Sequence, residues 1–166
     1  MSRGSFPAAP PEPDLRSVMR LFPTGVAVLT TGEGADTVAT TVNSLTSVTL
    51  SPPTLLVSLL KASRAHLLAS TTGGFRLHLL AGEQEPLARL FASQAKPTGD
   101  ALASHFDPAD PAGPVLTGSL ATLTCTVSAV YPEGDHCLFL GRVTATRESA
   151  GSRAALLFHH GRMTTT

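Results

Sequence analysis

Several residue types are scarce in this chain, and their scarcity excludes whole classes of function. Its 166 residues include no tryptophan, one tyrosine and two cysteines, and only 14% of the residues are charged. The 12 lysines and arginines equal the 12 aspartates and glutamates, so the sequence offers no basic surface for nucleic acid or an anionic membrane. Lys61 and Arg64 interrupt the longest apolar stretch, residues 55–68, which therefore falls short of the roughly 18 to 20 apolar residues of a membrane-spanning helix.

Signatures of metal binding and of nucleophilic catalysis are also missing. Cys125 and Cys137 form no Cys-x-x-Cys pair and are too few for a disulfide scaffold, so we expect reduced thiols in a cytoplasmic protein. His159 and His160 are neighbours and would point to opposite faces of a strand, so we expect no metal site there. The Walker phosphate loop, the Gly-x-Gly-x-x-Gly fingerprint and the Gly-x-Ser-x-Gly nucleophile pattern are absent. The sequence therefore predicts neither a metal centre nor a hydrolytic nucleophile.

The chain contains enough apolar residues to form the core of one compact domain. Hydrophobic residues make up 42% of the sequence, which favours a folded core over disorder. Residues 1–13 are rich in proline and alanine and lack the apolar core of a signal peptide. We therefore expect a disordered tail over residues 1–13 and a single folded domain over residues 14–166.

Strand patterns outnumber helical patterns along this domain. Apolar and polar residues alternate most clearly at residues 121–129. Further strands are expected at residues 25–31, 37–44, 54–60, 75–80 and 137–146, helices at residues 15–22, 64–70 and 83–92, and a polar loop at residues 94–113. We expect Asp14 to cap the first helix, and Met19 and Phe22 to lie in the core. Because strands and helices do not alternate regularly, we predict a closed antiparallel barrel with a few accessory helices rather than a parallel sheet.

A row of short polar side chains begins at residue 41. Thr41, Asn43 and Ser44 carry hydrogen-bonding groups without a charged nucleophile, which suits recognition of a flat ring with polar edges better than it suits hydrolysis. The same residue types are also ordinary strand and turn residues, because they readily bond to nearby backbone. Pro52 and Pro53 end the segment, since proline cannot continue a sheet ladder.

Two further positions carry groups that suit a nucleotide ligand. Ser63 follows Lys61 and opens a predicted helix, and a helix N-terminus with hydroxyl and cationic neighbours is a natural phosphate site. An ordinary helix cap with solvated basic residues explains that pattern equally well. His136 follows a Gly134-Asp135 turn between the two clearest strands. Histidine can titrate near neutral pH, although a lone histidine is more often structural or merely exposed.

Taken together and in order, these segments resemble the flavin reductase family, whose fold is the FMN-binding split barrel. The similarity extends over about residues 15–163. The stretches that carry it are MRLFPTGVAVLTT at residues 19–31, TVNSLTSV at 41–48, SPP at 51–53, GFRLHLL at 74–80, residues 84–92, LTC at 123–125, GDH at 134–136 and LGRV at 140–143.

The resemblance implies a mainly β protein, namely an antiparallel split β-barrel of the Greek-key type with a few accessory helices, that assembles as a homodimer. It implies an NAD(P)H-dependent flavin reductase that uses NADH or NADPH to reduce FMN or FAD. Such an enzyme supplies reduced flavin by diffusion to a separate flavin-dependent monooxygenase. Two other functions stay open, which are a flavin-binding or carrier module without turnover, and a split-barrel flavin-dependent oxidase or oxygenase that acts on an organic substrate.

The resemblance also implies a set of site residues. The cofactor-binding residues are Thr41, Asn43, Ser44, Ser58, Leu59, Lys61 and Ser63, and the candidate catalytic residue is His136. In this assignment the first three border the isoalloxazine ring, the next three follow the ribityl chain, and Ser63 meets the phosphate. The imidazole of His136 lies on the nicotinamide side of the flavin.

Four positions depart from the family pattern. Ala39 stands where glycine is usual, Leu45 where phenylalanine is usual, His105 where lysine or arginine is common, and Met163 where an aromatic residue is common. These departures bear on the type of flavin and its affinity, so the choice between FMN and FAD stays open.

Overall fold

The structure is a computed structural model that describes residues 13–107, 113–151 and 153–166. The expected disordered tail falls, apart from Pro13, outside the described residues. The strands are β1 (Thr24–Gly25), β2 (Ala27–Thr31), β3 (Val38–Val42), β4 (Leu45–Leu50), β5 (Pro53–Leu60), β6 (Gly74–Leu79), β7 (Phe106–Asp107), β8 (Val115–Leu116), β9 (Ala121–Glu133), β10 (His136–Glu148), β11 (Leu156–His159) and β12 (Arg162–Thr165). The helices are α1 (Leu15–Met19), α2 (Arg64–Thr72), α3 (Glu85–Ala92) and α4 (Gly99–Ala103).

Antiparallel pairing dominates the fold, as the sequence predicts. Seven strands form one sheet in the order β3-β2-β6-β9-β10-β5-β4, while β1, β11 and β12 form a small second sheet and β7 pairs with β8. The expected closed barrel is wrong for this sheet, because its edge strands β3 and β4 pair with β2 and β5 and, among the described residues, not with each other. Helix α2 packs against β2, β3, β5 and β6.

Two apolar cores lie on opposite faces of the sheet. Strand β2 is buried on both sides, since Ala27 and Leu29 pack in one core and Val28 packs in the other. The first core fills the inner face, with Val57, Leu77 and Phe139 among its members, and the second covers the outer face with side chains from α3, α4, β8 and β11. Strand alternation therefore explains why the run at residues 26–29 is apolar throughout.

The other half of the outer face has no such cover among the described residues. Inward-pointing side chains of β5 and β10, such as Leu59 and Phe139, are buried, and their outward neighbours are partly or fully exposed. We call the outward set the open face; its members, which follow from the register of the three strands, are Leu56, Ser58, Leu60, Ala129, Tyr131, Glu133, His136, Leu138 and Leu140. The open face is largely apolar.

Several expectations from sequence need correction. Asp14 does cap α1 by accepting a hydrogen bond from the amide of Ser17, but α1 spans only five residues and buries none of them. Met19 and Phe22 are 49% and 61% exposed, so placing them in the core is wrong. The loop expected at residues 94–113 contains α4, which buries Leu102. None of the described helices is long and apolar enough to span a bilayer.

Candidate functional site

Ser44 ties the beginning of β4 to the end of β5. Its Oγ donates to the carbonyl of Ser58 at 3.0 Å and accepts from the Ser58 amide at 3.2 Å. The β4–β5 ladder stops one residue earlier, at the pair Leu45 and Val57, so the side chain of Ser44 replaces the missing strand partner. Ser58 itself lies on the open face and is half-buried.

Thr41 and Asn43 lie at the end of β3, and both make contacts within the protein. The Thr41 hydroxyl donates to the carbonyl of Ala88 in α3 at 2.7 Å, which commits its proton to fixing that helix against the strand. Asn43 is exposed, and its Nδ2 donates to the hydroxyl of Thr24 at 3.2 Å. The hydrogen bond to Thr24 therefore orients the exposed side-chain amide of Asn43.

Ser63 caps helix α2. Its Oγ accepts from the amide of His66 at 3.1 Å and donates to the carbonyl of Leu60 at 2.7 Å. This cap holds the first turn of a nine-residue helix in place, with the side chains of Lys61 and Arg64 on either side of Ser63 in the chain. A helix N-terminus with cationic neighbours attracts anions.

Lys61 joins this helix start to the β9–β10 turn. Its ammonium donates to the carbonyl of Gly134 at 2.7 Å, and its amide donates to the carbonyl of Asp135 at 2.9 Å. Leu60 is the cross-strand partner of His136. These bonds bring the N-terminus of α2 and the candidate catalytic histidine to the same end of the sheet.

His136 pairs with the carboxylate that precedes it in the chain. Its Nδ1 lies 2.7 Å from Asp135 Oδ1, and the side chain is 45% exposed. The hydrogen bond from His136, and then the charge of the imidazole, hold the pKa of the Asp135 carboxyl below its usual value. Because Asp135 engages Nδ1, Nε2 is the imidazole nitrogen that remains for a ligand beside the β9–β10 turn.

Leu59 is the remaining predicted residue. The Leu59 side chain is 3% exposed and packs in the inner core, so only its backbone can meet a ligand. Ser58, Lys61, Ser63 and His136 share one end of the sheet, whereas Thr41 and Asn43 lie at the end of β3 beside α3 and Thr24.

Sequence reasoning left two partners unassigned. Asp135 was recognised as part of a turn and not as the partner of His136; its adjacency to the histidine in Gly134-Asp135-His136 was the available signal. The hydrogen bond between Thr24 and Asn43 joins residues 19 positions apart, and no local sequence pattern predicts it.

A sizeable cavity is lined by other residues than these. It has a volume of about 630 Å³ and is lined by the turn between β2 and β3, by α4 and by residues such as Phe75 and Leu102. None of the predicted site residues lines it. Ser58 and His136 instead belong to the open face, with Lys61 and Ser63 at the same end of the sheet, whereas Thr41 and Asn43 lie at the end of β3.

His159 and His160 lie side by side near the C-terminus. The rings of His159 and His160 lie 4.1 Å apart, so the expectation that they point to opposite faces is wrong. The reason is the backbone of His160, whose φ of 51° lies in the left-handed region at the turn between β11 and β12. Within the described ranges no group of three or more His, Cys, Asp or Glu residues could hold a metal ion.

Known proteins similar to this chain were found by both sequence and structure. The model of the flavin reductase like domain family matches residues 19–166. The NADH-dependent FMN reductase AsuE2 of Streptomyces nodosus subsp. asukaensis is 41% identical over 160 residues, which cover 94% of this chain and 85% of that protein.

Two solved structures share the fold at similar levels of identity. BorF, the flavin reductase component of a bacterial two-component tryptophan halogenase, gives a TM-score of 0.83 at 31% identity over 91% of this chain and 95% of BorF. The NADH:FAD oxidoreductase SgcE6 of Streptomyces globisporus C-1027, solved with NAD and FAD fragments, gives a TM-score of 0.80 at 35% identity over 90% of this chain and 89% of SgcE6.

Proposed function

This chain belongs to the flavin reductase like domain family, and from that premise we propose that it is an NAD(P)H-dependent flavin reductase. The observation that carries the proposal is the family match over residues 19–166. AsuE2 is named for NADH and FMN and SgcE6 for NADH and FAD. NADH is therefore the first donor to test, with NADPH second, and either FMN or FAD is the acceptor.

The hard chemistry of this reaction belongs to the flavin, which when bound accepts at N5 the hydride that leaves C4 of the nicotinamide. The chain needs only to bind and orient the two molecules, and it offers groups of the right kind. Asn43 presents an exposed side-chain amide, and Ser63 presents the capped start of α2. The hydroxyls of Thr41 and Ser44 already donate to the carbonyls of Ala88 and Ser58 and hold the surrounding backbone in place. We assign the ring edge to Thr41, Asn43 and Ser44 and the phosphate to the start of α2.

The ribityl chain is assigned to the stretch between those two points. Ser58 and the backbone of Leu59 lie at the end of β5, where β4 no longer pairs with it, and Lys61 follows. The amide and carbonyl of Ser58 on this edge already bond to Ser44 Oγ, so the group that Ser58 would offer to the ribityl hydroxyls is its side-chain hydroxyl. Lys61 would add positive charge beside the phosphate while it keeps the β9–β10 turn in place.

His136 is assigned to the nicotinamide. Asp135 fixes the imidazole through Nδ1, so Nε2 can donate to or accept from the carboxamide, or hold a proton for the reduced ring. The hydrogen bond between Asp135 and His136 Nδ1 orients the imidazole and leaves Nε2 available to the substrate.

We propose that the chain acts as a homodimeric split barrel with a single domain over residues 14–166. Supporting this assembly, the open face is largely apolar and has no cover among the described residues. A second copy would cover Leu56, Leu138 and Leu140, and the turn end of the hairpin, with Tyr131 and His136, would line a ligand site at the edge of that contact. The two unpaired, buried cysteines support a cytoplasmic location. By analogy with BorF, named as the reductase component of a two-component halogenase, reduced flavin would diffuse to a flavin-dependent monooxygenase or similar partner.

A steady-state assay with one variant tests the proposal. The purified protein should oxidise NADH or NADPH only when FMN or FAD is added. His136→Ala should lower kcat/KM for the nicotinamide by about ten-fold or more while flavin binding stays nearly intact, which is the smaller end of what positioning and acid–base groups contribute. His159→Ala, at a half-buried histidine in β11, is the matched control and should leave the kinetics unchanged.

The same assay separates the rival functions. Flavin binding without turnover of any nicotinamide and flavin pair would identify a carrier module. Flavin reduction that requires an added organic substrate would identify an oxidase or oxygenase. A lower melting temperature for His136→Ala with normal kinetics in the folded fraction would make His136 structural.

A further inference from the structure

We propose that Tyr131 is the aromatic platform on which a ring of the nicotinamide coenzyme stacks. The inference rests on the proposed function, since it names a residue for the second substrate of the same reaction. It comes from the register of the β9–β10 hairpin, from the exposure of Tyr131 and from the scarcity of aromatic side chains in this chain.

Tyr131 and His136 share the open face at the turn end of the hairpin. Tyr131 is the cross-strand partner of Leu138, and Glu133 is the partner of His136, so Tyr131 and His136 are diagonal neighbours on adjacent strands. Diagonal pairs on one face lie about 7–8 Å apart, within reach of an aromatic ring. A planar molecule about 3.5 Å thick can stand between two side chains at that spacing or lie across them.

Few other aromatic side chains can serve this purpose. The chain has no tryptophan and a single tyrosine, and Phe75, Phe91 and Phe139 are buried. Among the described residues the large exposed aromatic side chains are Phe22, at 61%, and Tyr131, at 56%. Only Tyr131 belongs to the open face with His136, because Phe22 precedes β1.

The position of Tyr131 favours the coenzyme over the flavin. Ser58, an assigned flavin contact on the open face, lies two strands away across β10, which corresponds to about 10 Å at the usual strand spacing. His136, assigned to the nicotinamide, lies on the adjacent strand. Adenine and nicotinamide rings both stack well on tyrosine, and each ring–aromatic contact typically changes affinity by about five-fold or more.

Two substitutions separate a stacking ring from simple apolar cover. Tyr131→Phe keeps the ring, and its KM for NADH should stay within about two-fold of the wild type. Tyr131→Leu keeps apolar bulk without a ring, and its KM should rise by about five-fold or more with a smaller change in kcat. Val130→Ala, at the adjacent residue that pairs with the buried Phe139 on the inner face, is the matched control and should behave as the wild type.

Reduced nicotinamide mononucleotide, which lacks adenine, identifies the stacked ring. If the KM of Tyr131→Leu rises for this mononucleotide as it does for NADH, the nicotinamide stacks on Tyr131. If it rises for NADH alone, the adenine does. Either result supports the proposal.

Three results would overturn it. These are an unchanged KM for NADH in Tyr131→Leu, a flavin dissociation constant that rises in step with the KM, and a change in oligomeric state that accounts for the loss. Each would make Tyr131 something other than a coenzyme platform.

The fluorescence of the wild-type protein gives an independent readout. Because Tyr131 is the single tyrosine and tryptophan is absent, intrinsic emission comes from this one ring. Titration with NAD⁺, corrected against a free tyrosine derivative, should quench the emission with saturation, and unchanged emission would contradict the proposal. This titration does not need turnover, so a protein that fails the reductase assay fails the proposed function while Tyr131 is still tested.

Discussion

At the scale of single residues, the fold depends on a histidine that the proposed chemistry does not use. His78 is fully buried, and its ring joins three strands of the sheet to β8. Its Nδ1 accepts from the Leu116 amide at 3.3 Å and lies 2.9 Å from the Thr122 hydroxyl. The proton therefore resides on Nε2, which lies 3.1 Å from Thr30 Oγ1. Burial, and then the positive charge of Arg76, lower the pKa of His78 from 6.5 to about 3.

This neutral histidine makes stability sensitive to acid. The pKa of His78 is lower in the folded than in the unfolded state. Below about pH 6.5, His78 therefore binds a proton in the unfolded chain but stays neutral in the folded chain. The stabilisation is complete above pH 6.5 and declines towards pH 3, by about 1.4 kcal/mol per pH unit. His78→Gln should be less stable near pH 7 but lose less stability on acidification. Urea unfolding of both proteins at about pH 7, 6 and 5 gives their free energies of unfolding at each pH. If the free energy falls equally with pH in the wild type and in His78→Gln, His78 does not titrate as the structure indicates.

Residue types at the candidate site were readable from the sequence, but their partners were not. Ser63 and Asp14 lie directly before apolar-periodic segments, so their capping roles follow from local pattern. His78 looks like any polar residue of a strand, and its bonds to Thr30 and Thr122 span 48 and 44 residues. The hydroxyl of Thr41 was expected to face a ring, whereas it donates to a helix carbonyl 47 residues away.

At the scale of elements, the strands with clear alternation were predicted well. The strand expected at residues 54–60 is β5, and the strand expected at residues 121–129 is β9, which continues through Tyr131 to Glu133. The break between β3 and β4 falls at Asn43 and Ser44, where neither glycine nor proline marks a turn. The polar row at residues 41–51 was therefore read as more continuous than it is. The faces of α1 were misjudged because helical periodicity indicates an apolar side without saying what will cover it.

The start of α2 gives a prediction in which stability and binding can be separated. Ser63→Ala removes the cap that bonds to the His66 amide and should cost about 1 kcal/mol of unfolding free energy. Ser63→Asp keeps a capping oxygen and should be about as stable as the wild type. Its carboxylate, however, should repel a phosphate at the helix start, so affinity for FMN should fall by about ten-fold.

Riboflavin, which has no phosphate, is the matched ligand for this pair of variants. Its affinity should be the same for the wild type and for Ser63→Asp, measured by quenching of flavin fluorescence. Equal affinity of the wild type and Ser63→Asp for FMN would mean that the phosphate binds elsewhere.

At the scale of the whole molecule, the two halves of the sheet differ in how their outer face is covered. Helices α3 and α4 and strand β11 cover β2 and β3 on the outside, whereas the open face of β5, β9 and β10 keeps its apolar side chains partly exposed. The family and the antiparallel β class were predicted correctly from sequence. The unequal cover of the two halves of the sheet was not predicted. Alternation shows that a strand has two faces, but it does not show which elements cover each face.

The open face predicts a dimer whose formation and flavin affinity depend on each other. Sedimentation at micromolar concentration should give twice the mass of the chain, since Leu56, Leu138 and Leu140 present adjoining apolar surface that association removes from water. Leu138→Lys should raise the dimer dissociation constant by about ten-fold or more, because a buried ammonium would lack a partner. Flavin affinity should fall with it if the second copy covers the site.

Leu67→Lys provides the control for this experiment. Leu67 is 59% exposed on α2, the helix that packs beside β2, β3, β5 and β6, and it is not a member of the open face. The Lys substitution there adds the same charge without touching the expected interface, so dimerisation should be unchanged. A wild-type protein that sediments as a monomer with full activity would remove the dimer from the mechanism. A dimeric Leu138→Lys with normal flavin affinity would place the interface on another surface, and the exposed apolar residues of α1 would then be the next to test.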